Sequence, residues 1–502
     1  MISRKTWVQS IRPDDGLGRN VMQVRNKRWR DEDFLRKRAE VLAEWPTGKA
    51  AENLDEAVEY NREKLAENRM KCCYERIKQA RQEGKTLVAP LLAHTATEDM
   101  LECMEFIEKH SPPDIWVVAG DTYTRKGQWS QAQRGLEEAL RQGRTVTNGW
   151  AFVNAGVKET RRVTESTDLP LWVINEEEGQ MLQTEIALAG GIRGYVSADF
   201  QDVMEHSKDL SFGKRIELNQ YCNRLASYYS ERGVPMLTMV AAHVCGWNTP
   251  GLKVTAILLA GLESAEQGAR NLCIETGLSM SLIQDVAALR AARHLLEEYL
   301  PRFGYHDIDL SSATFPWLGS WPVEKDRADA MIAWNAAISV LAGVQVIIPK
   351  TADEASAVPT KDAIVSAIDT TKQMLLIMGE QRMSFSEELE LEQRMLELEA
   401  RAVLERVLEL GDGDLVVGQI KAVEQGVLDA AFSPWIRLKQ KVLPVRDGKG
   451  ALRYLDHGNI PLPEEVVEYH QQEIAAREKV QKRKADMTMV IDDLIRMSGP
   501  LI

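Results

Sequence analysis

The stretch Asp114-Ile115-Trp116-Val117-Val118-Ala119-Gly120-Asp121-Thr122-Tyr123-Thr124-Arg125 decides the fold. Its first half is an apolar run of strand length, too short for a helix, and it reads as a strand buried on both faces. A polar turn follows, and then helical periodicity over 130–142. The same unit recurs along the chain. Further strand candidates lie at 86–92, 145–149, 171–175, 194–197, 235–241, 271–277, 307–313 and 344–350, with helical patterns at 97–109, 212–231, 257–268, 280–299 and 324–341. Repeated β-then-α units imply a parallel sheet covered by helices. The span of about 265 residues is the size of one (β/α)8 barrel of the TIM type. Nine candidates leave one surplus, and 194–197 carries the weakest pattern. A doubly wound open sheet is the alternative, but no G-x-G-x-x-G turn announces one.

Outside this α/β region, 85–361, the text is helical. Residues 1–84 read as an N-terminal arm and helices, broken at Trp45-Pro46-Thr47-Gly48-Lys49, a string that lacks the full phosphate-loop pattern. Residues 362–502 read as a mixed α+β C-terminal extension. Within it, the run from Ser386 to Leu410 has the spacing of a packed amphipathic helix. Asp447-Gly448 turns a small hairpin, and a final helix covers 463–497. The whole chain has 502 residues, 44% of them hydrophobic and 27% charged, and a net charge of -13. That balance argues against a broad phosphate-binding surface, and so against nucleic acid as a partner. No apolar run approaches a membrane span. Six cysteines without a C-x-x-C pair, and an N-terminus without an apolar signal region, point to the cytoplasm.

A barrel gathers its function at the C-terminal ends of its strands. The residues just past those ends include Leu91, His94, Arg125, Asn148, Ile174, His243, Trp317, Lys350 and Glu354. Arg125 suits a two-point grip on a carboxylate, or a rim salt bridge. Lys350 and Glu354 are four apart and share a helical face; they suit hydroxyl or ribose groups, or form a surface pair. His94 and His243 are acid–base or structural histidines. Trp317 and Trp321 are a floor for a planar cofactor or an aromatic plug. No H-E-x-x-H and no G-x-S-x-G appear, and no metal ligand set is expected.

The strings Glu44-Trp45-Pro46-Thr47-Gly48-Lys49, Asp121-Thr122-Tyr123-Thr124-Arg125, Asn148-Gly149, Gln220-Tyr221-Cys222, Lys350-Thr351, Gly379-Glu380-Gln381-Arg382-Met383 and Pro444-Val445-Arg446-Asp447 together resemble the large subunit of adenosylcobalamin-dependent glutamate (methylaspartate) mutase. The resemblance runs over nearly the whole chain. It implies an isomerase performing a radical carbon-skeleton rearrangement. It also implies adenosylcobalamin whose cobalt is ligated by a small partner subunit with a D-x-H-x-x-G motif, and a homodimer of this chain within a heterotetramer. Lys350 and Glu354 match the positions that hold the adenosyl ribose. The substrate side departs from the pattern. Of three arginines that bind the dicarboxylate only Arg125 is present, and the other two positions hold Leu91 and Ile174. The family's carboxylate base aligns near Val196, and two nearby tyrosines fall on Asp202 and His206. These departures imply a less acidic amino or carboxylic acid as substrate. The other readings are a radical enzyme of different outcome, using His94, Asp202 or His206 in acid–base roles, and a non-catalytic partner of a cobalamin subunit.

Overall fold

The computed structural model describes residues 24–242, 248–356 and 358–499. The N-terminal tail and His243 lie outside the described residues. Nine short strands, β1 (Leu87–Val88), β2 (Leu91–Leu92), β3 (Trp116–Ala119), β4 (Leu171–Ile174), β5 (Gly194–Ser197), β6 (Leu237–Ala242), β7 (Asn271–Gly277), β8 (Asp309–Phe315) and β9 (Val346–Ile347), form one sheet in which every pairing is parallel. The sheet closes on itself. β1 pairs with β9 and β2 with β3, and the two residues between them are still bonded: Ala89 N donates to Ile347 O at 2.9 Å, and Val117 N donates to Pro90 O at 3.1 Å. Pro90 has no N–H to give, which interrupts the ladder and splits one strand into two. The result is an eight-stranded (β/α)8 barrel with a helical N-terminal arm and a mixed extension.

Two sequence expectations need correction. The run 194–197 is a full barrel strand, paired to both neighbours, whereas 145–149 is loop, joined to the sheet only by a bridge between Gly120 and Trp150. The single helix expected over 463–497 is two, Glu464–Gln481 and Met487–Ile495, separated where Lys482 turns left-handed.

Alternation along the strands builds two cores. Leu87, Ala89, Val117, Trp172, Val196, Met239, Cys273, Ala313 and Val346 point inward and pack together. Their neighbours Val88, Trp116, Val118, Val173 and Tyr195 point outward and meet the helices. Each such side chain removed from water stabilises the fold by about 1.5–3 kcal/mol. Cys73, Ile77 and Ala80 of the helix Cys73–Gln82 join the inward cluster, so this helix plugs the N-terminal end of the barrel. Arg81 clamps both Asp309 carboxylate oxygens there at 2.7 and 2.8 Å.

The helix Glu387–Leu410 lays Leu389, Leu396, Val403 and Val407 against the barrel helices Pro250–Glu266 and Leu282–Arg302, as its spacing predicts. Beyond it, β10 (Val442–Arg446) and β11 (Leu452–His457) pair antiparallel around the Asp447-Gly448 turn. Arg446 donates from Nη2 to Ser279 O at 2.9 Å, which ties the hairpin to the loop after β7. Among the described residues no helix is long and apolar enough to cross a membrane.

Candidate active site at the open mouth of the barrel

Opposite the plug, the C-terminal ends of the strands form the mouth of the barrel. The β3 loop begins at Asp121, whose carboxylate accepts from the Tyr123 and Thr124 amides at 2.9 and 3.3 Å and from Thr124 Oγ1 at 2.5 Å. This cap starts the short helix Thr122–Arg125. Asn148 Oδ1 accepts from the Thr122 amide and hydroxyl at 3.1 and 3.0 Å, bracing the same loop. The Gly179 amide then donates to Arg125 O at 2.7 Å. A Cβ at Gly179 would meet the Thr124 carbonyl oxygen at 2.5 Å, so only glycine lets the β3 and β4 loops touch here.

That contact places Arg125 Nη1 2.9 Å from Glu177 Oε1. Glu177 was not singled out from the sequence, although it stands in the acidic run Glu176-Glu177-Glu178 just past β4. Its side chain is only 2% exposed, its φ of 65° is left-handed, and its Oε2 has no hydrogen-bond partner among the described residues. Burial pushes the Glu177 carboxyl up to about 6, against the opposing pull of Arg125 and His206.

A third loop comes from β5. The helix Phe200–His206 carries Asp202 and His206 one turn apart, with His206 Nδ1 2.9 Å from Asp202 Oδ1 and 3.8 Å from Glu176 Oε2. Arg215, from the helix Phe212–Ser230, reaches Asp202 Oδ2 at 2.6 Å and donates to Glu177 O at 3.2 Å. Sequence gave no hint of Arg215, which lies mid-pattern in a long helix and is wholly buried. Burial opposes ionisation of Asp202, but Arg215 and His206 outweigh it and hold the carboxyl below its ordinary range. Burial likewise opposes a charge on His206, yet the Asp202 hydrogen bond and the Glu176 charge push it up to about 10. Glu176, Asp202 and His206 present ligand atoms within 4.8 Å of one another, close enough to share a metal ion. In the structure Arg215 pairs with Asp202 Oδ2 and His206 with Asp202 Oδ1, which ties the group into an ion-pair network. Three cations, Arg125, Arg215 and His206, stand among Glu176, Glu177 and Asp202, with Asp199 also beside Arg215 and Glu205 beside His206.

The remaining sequence candidates are distributed around this network. Leu91 and Ile174 cap the inward cluster at the mouth, half-buried beside Leu318 and Phe315. Val196 is sealed inside the barrel, so no carboxylate stands where the resemblance puts the base. His94 bonds Thr145 Oγ1 at 3.0 Å and sits among Asp99, Glu102 and Lys361, a different set of charges; burial lowers its pKa. Lys350 follows β9, mostly buried, with Nζ 2.8 Å from Glu354 Oε1 and 5.2 Å above the Trp321 ring. Trp317 is turned the other way: its indole donates to Ser320 O, and the Arg446 guanidinium lies 5.5 Å from its ring. Trp321, not Trp317, is therefore the aromatic beside Lys350.

The family model for the methylaspartate mutase E chain matches residues 68–502. Among similar proteins, the glutamate mutase epsilon subunit of Desulfitobacterium hafniense (strain Y51) is 35% identical over 474 residues, which covers 94% of this chain and 97% of that one. The epsilon subunit of Yersinia enterocolitica is 33% identical and that of Escherichia coli O157:H7 32%, each over 95% of this chain and 98% of its own length. On this agreement along nearly its entire length, the chain belongs to the methylaspartate mutase E chain family.

Proposed function

We propose that the protein is the large, catalytic subunit of a B12-dependent carbon-skeleton mutase of the glutamate mutase type, with a changed substrate preference. The family match over residues 68–502 carries this reading. The partner is a small cobalamin-binding subunit with a D-x-H-x-x-G motif, which ligates the cobalt. The assembly is a cytoplasmic heterotetramer built on a homodimer of this chain.

The residues at the end of β9 fit an adenosyl ribose. Lys350 supplies a donor held in place by its own acceptor, Glu354, whose carboxylate is still a third exposed and open to a hydroxyl. Adenosylcobalamin, when bound, would supply the radical hydrogen abstraction that the side chains of this chain cannot perform. The chain's own part is to bind, to orient and to exclude water. Arg125, fixed by Asp121, Asn148 and Gly179, grips a substrate carboxylate. Leu91 and Ile174 offer apolar surface where a dicarboxylate would need guanidinium. Asp202 and His206 act as a positioning pair rather than as acid and base, because a group held near 10 transfers protons poorly at neutral pH. His94, kept neutral by burial, is the better proton-handling candidate. Trp317 supports the cofactor side indirectly, by fixing the loop that carries Trp321.

The test is to mix the purified chain with its small partner and adenosylcobalamin, and to follow isomer formation by NMR over a panel of amino and carboxylic acids. The expected result is rearrangement of a monocarboxylate in preference to glutamate. No rearrangement, and no hydrogen exchange between cofactor and any acid, would leave only a binding role. Lys350→Ala should weaken use of the cofactor more than it weakens subunit assembly; equal loss of both would undo the ribose assignment.

A further inference from the structure

Glu177 combines three features: burial, a pairing with Arg125 and a left-handed backbone. Its carboxylate is buried, one oxygen is bound to Arg125, and the other oxygen has no partner among the described residues. Its backbone is left-handed without being glycine, a conformation that costs on the order of 1 kcal/mol or more. A strained backbone and an unsatisfied buried acceptor at the mouth of a barrel indicate a group kept for a ligand. The ligand atom that completes a carboxylate oxygen must be a donor, and a cationic one is favoured where charge is desolvated. Arg125, on the other side of the pair, has an Nε with no acceptor among the described residues. A guanidinium and a carboxylate held side by side are the charge complement of a zwitterion.

The surrounding charge limits what else that zwitterion can carry. The three cations of this network are already matched by its carboxylates, Lys350 is taken by Glu354 and Lys253 is turned to the Gly277 carbonyl, and Leu91 and Ile174 add no charge. A second substrate carboxylate would enter without a counterion, next to Glu176, Glu177 and Asp202. An apolar side chain would instead extend the hydrophobic surface on which Leu91 and Ile174 lie.

We infer that the substrate is an α-amino acid with one carboxylate and an apolar side chain: Arg125 takes its carboxylate, Glu177 its ammonium, and Leu91 with Ile174 its side chain. Glu177 thus provides, from the β4 loop, the negative charge missing at Val196. This rests on the mutase reading for the location of the substrate, and its test reads binding without turnover.

The experiment is isothermal titration calorimetry on the full-length chain with three probes, L-valine, L-glutamate and isovalerate, the last being valine without its amino group. L-Valine should bind about tenfold tighter than either of the others, since each bond between charged groups is worth at least that factor. Glu177→Gln should lower affinity for L-valine about tenfold and leave isovalerate unchanged, a split that mere loosening of the loop cannot produce. Leu91→Arg should raise affinity for L-glutamate by about as much. Isovalerate or glutamate binding as tightly as valine, equal effects of Glu177→Gln on both monocarboxylates, or no binding of any probe overturns the assignment. If L-valine binds as expected but no amino acid is rearranged by the assembled complex, the mutase reading fails and this one stands.

Discussion

The two ends of the barrel are made of similar residue types and treat them in opposite ways. At the plugged end Arg81 spends its guanidinium on both oxygens of Asp309 and on the Leu310 carbonyl, and Cys73 and Ile77 fill the space beneath the strands. At the mouth Arg125 meets one oxygen of Glu177, and the other has no partner among the described residues. An arginine–carboxylate pair whose donors and acceptors are all used is structure. A buried pair at the strand ends with an unused donor and an unused acceptor on a strained backbone is what the proposed ligand would complete. The difference lies in what the pair leaves unsatisfied, and it is invisible in a count of salt bridges.

This contrast breaks if a change at the mouth unfolds the protein or a change at the plug alters substrate binding. The largest effect is expected for Arg125→Ala. It should lower kcat/KM by about a hundredfold or more, as expected when one partner of a desolvated charge pair is removed. Its thermal midpoint should stay close to that of the parent, because Glu177 can protonate. Steady-state kinetics beside differential scanning fluorimetry check this, and a collapse of the midpoint would make Arg125 a structural residue. Next in size is Ile77→Ala at the plug, where Ile77 is buried under the strands. It should cost about 2–5 kcal/mol of stability, seen in denaturant unfolding, with KM for substrate unchanged.

A smaller effect is read from pH. Only ionised Glu177 can receive an ammonium group, and burial sets its carboxyl at about 6. The groups facing it are Arg125, His206, Asp202 and Glu176, with Arg215 on its carbonyl. His206 stays charged up to about 10, and Asp202 is held below the ordinary carboxylate range, so neither changes charge between pH 5 and 8. Affinity for an amino acid should therefore be flat above about pH 7 and fall roughly tenfold per unit below about pH 6. Calorimetric titration at several pH values measures it, and the amine-free acid should show no such fall.

Much of this was legible in the sequence, and what was missed has physical reasons. The barrel was readable because strands buried on both faces are continuous apolar runs, of which Trp116-Val117-Val118-Ala119 is the plainest. The strand count went astray where local and tertiary signals diverge. Thr145-Val146-Thr147 has β-branched residues but spends its hydrogen bonds on Thr95, whereas Gly194–Ser197 has little propensity and is a strand because β4 and β6 bracket it. At the mouth, Arg125, Asp202 and His206 could be named from the strand ends and the resemblance. Glu177 and Arg215 could not, because their meaning arises only when loops from β3, β4 and β5 converge with a helix nearly forty residues downstream of Glu177. Trp317 and Trp321 are equivalent in the sequence, and only the docking of the C-terminal hairpin distinguishes them.

The smallest effect is the sharpest for the comparison, because its sign is opposite to what a structural salt bridge would give. The folded protein raises the Glu177 carboxyl from 4.5 to about 6, so folding favours its protonated form. For an acid with a raised pKa the contribution to stability is present below about 4.5 and is lost as pH rises through about 6. At neutral pH the ionised side chain thus costs the ligand-free protein on the order of 2 kcal/mol. Glu177→Gln removes that charge and keeps the shape. It should raise the thermal midpoint at pH 7.5, by about 2 °C, while weakening substrate binding, and the stabilisation should vanish near pH 4.5. At the plugged end the same logic predicts the reverse. Arg81 holds Asp309 below its ordinary range, so Asp309→Asn should destabilise at neutral pH and progressively less in acid. If both substitutions lower the midpoint at pH 7.5, Glu177 is a structural residue like Asp309, and the mouth is as inert as the plug.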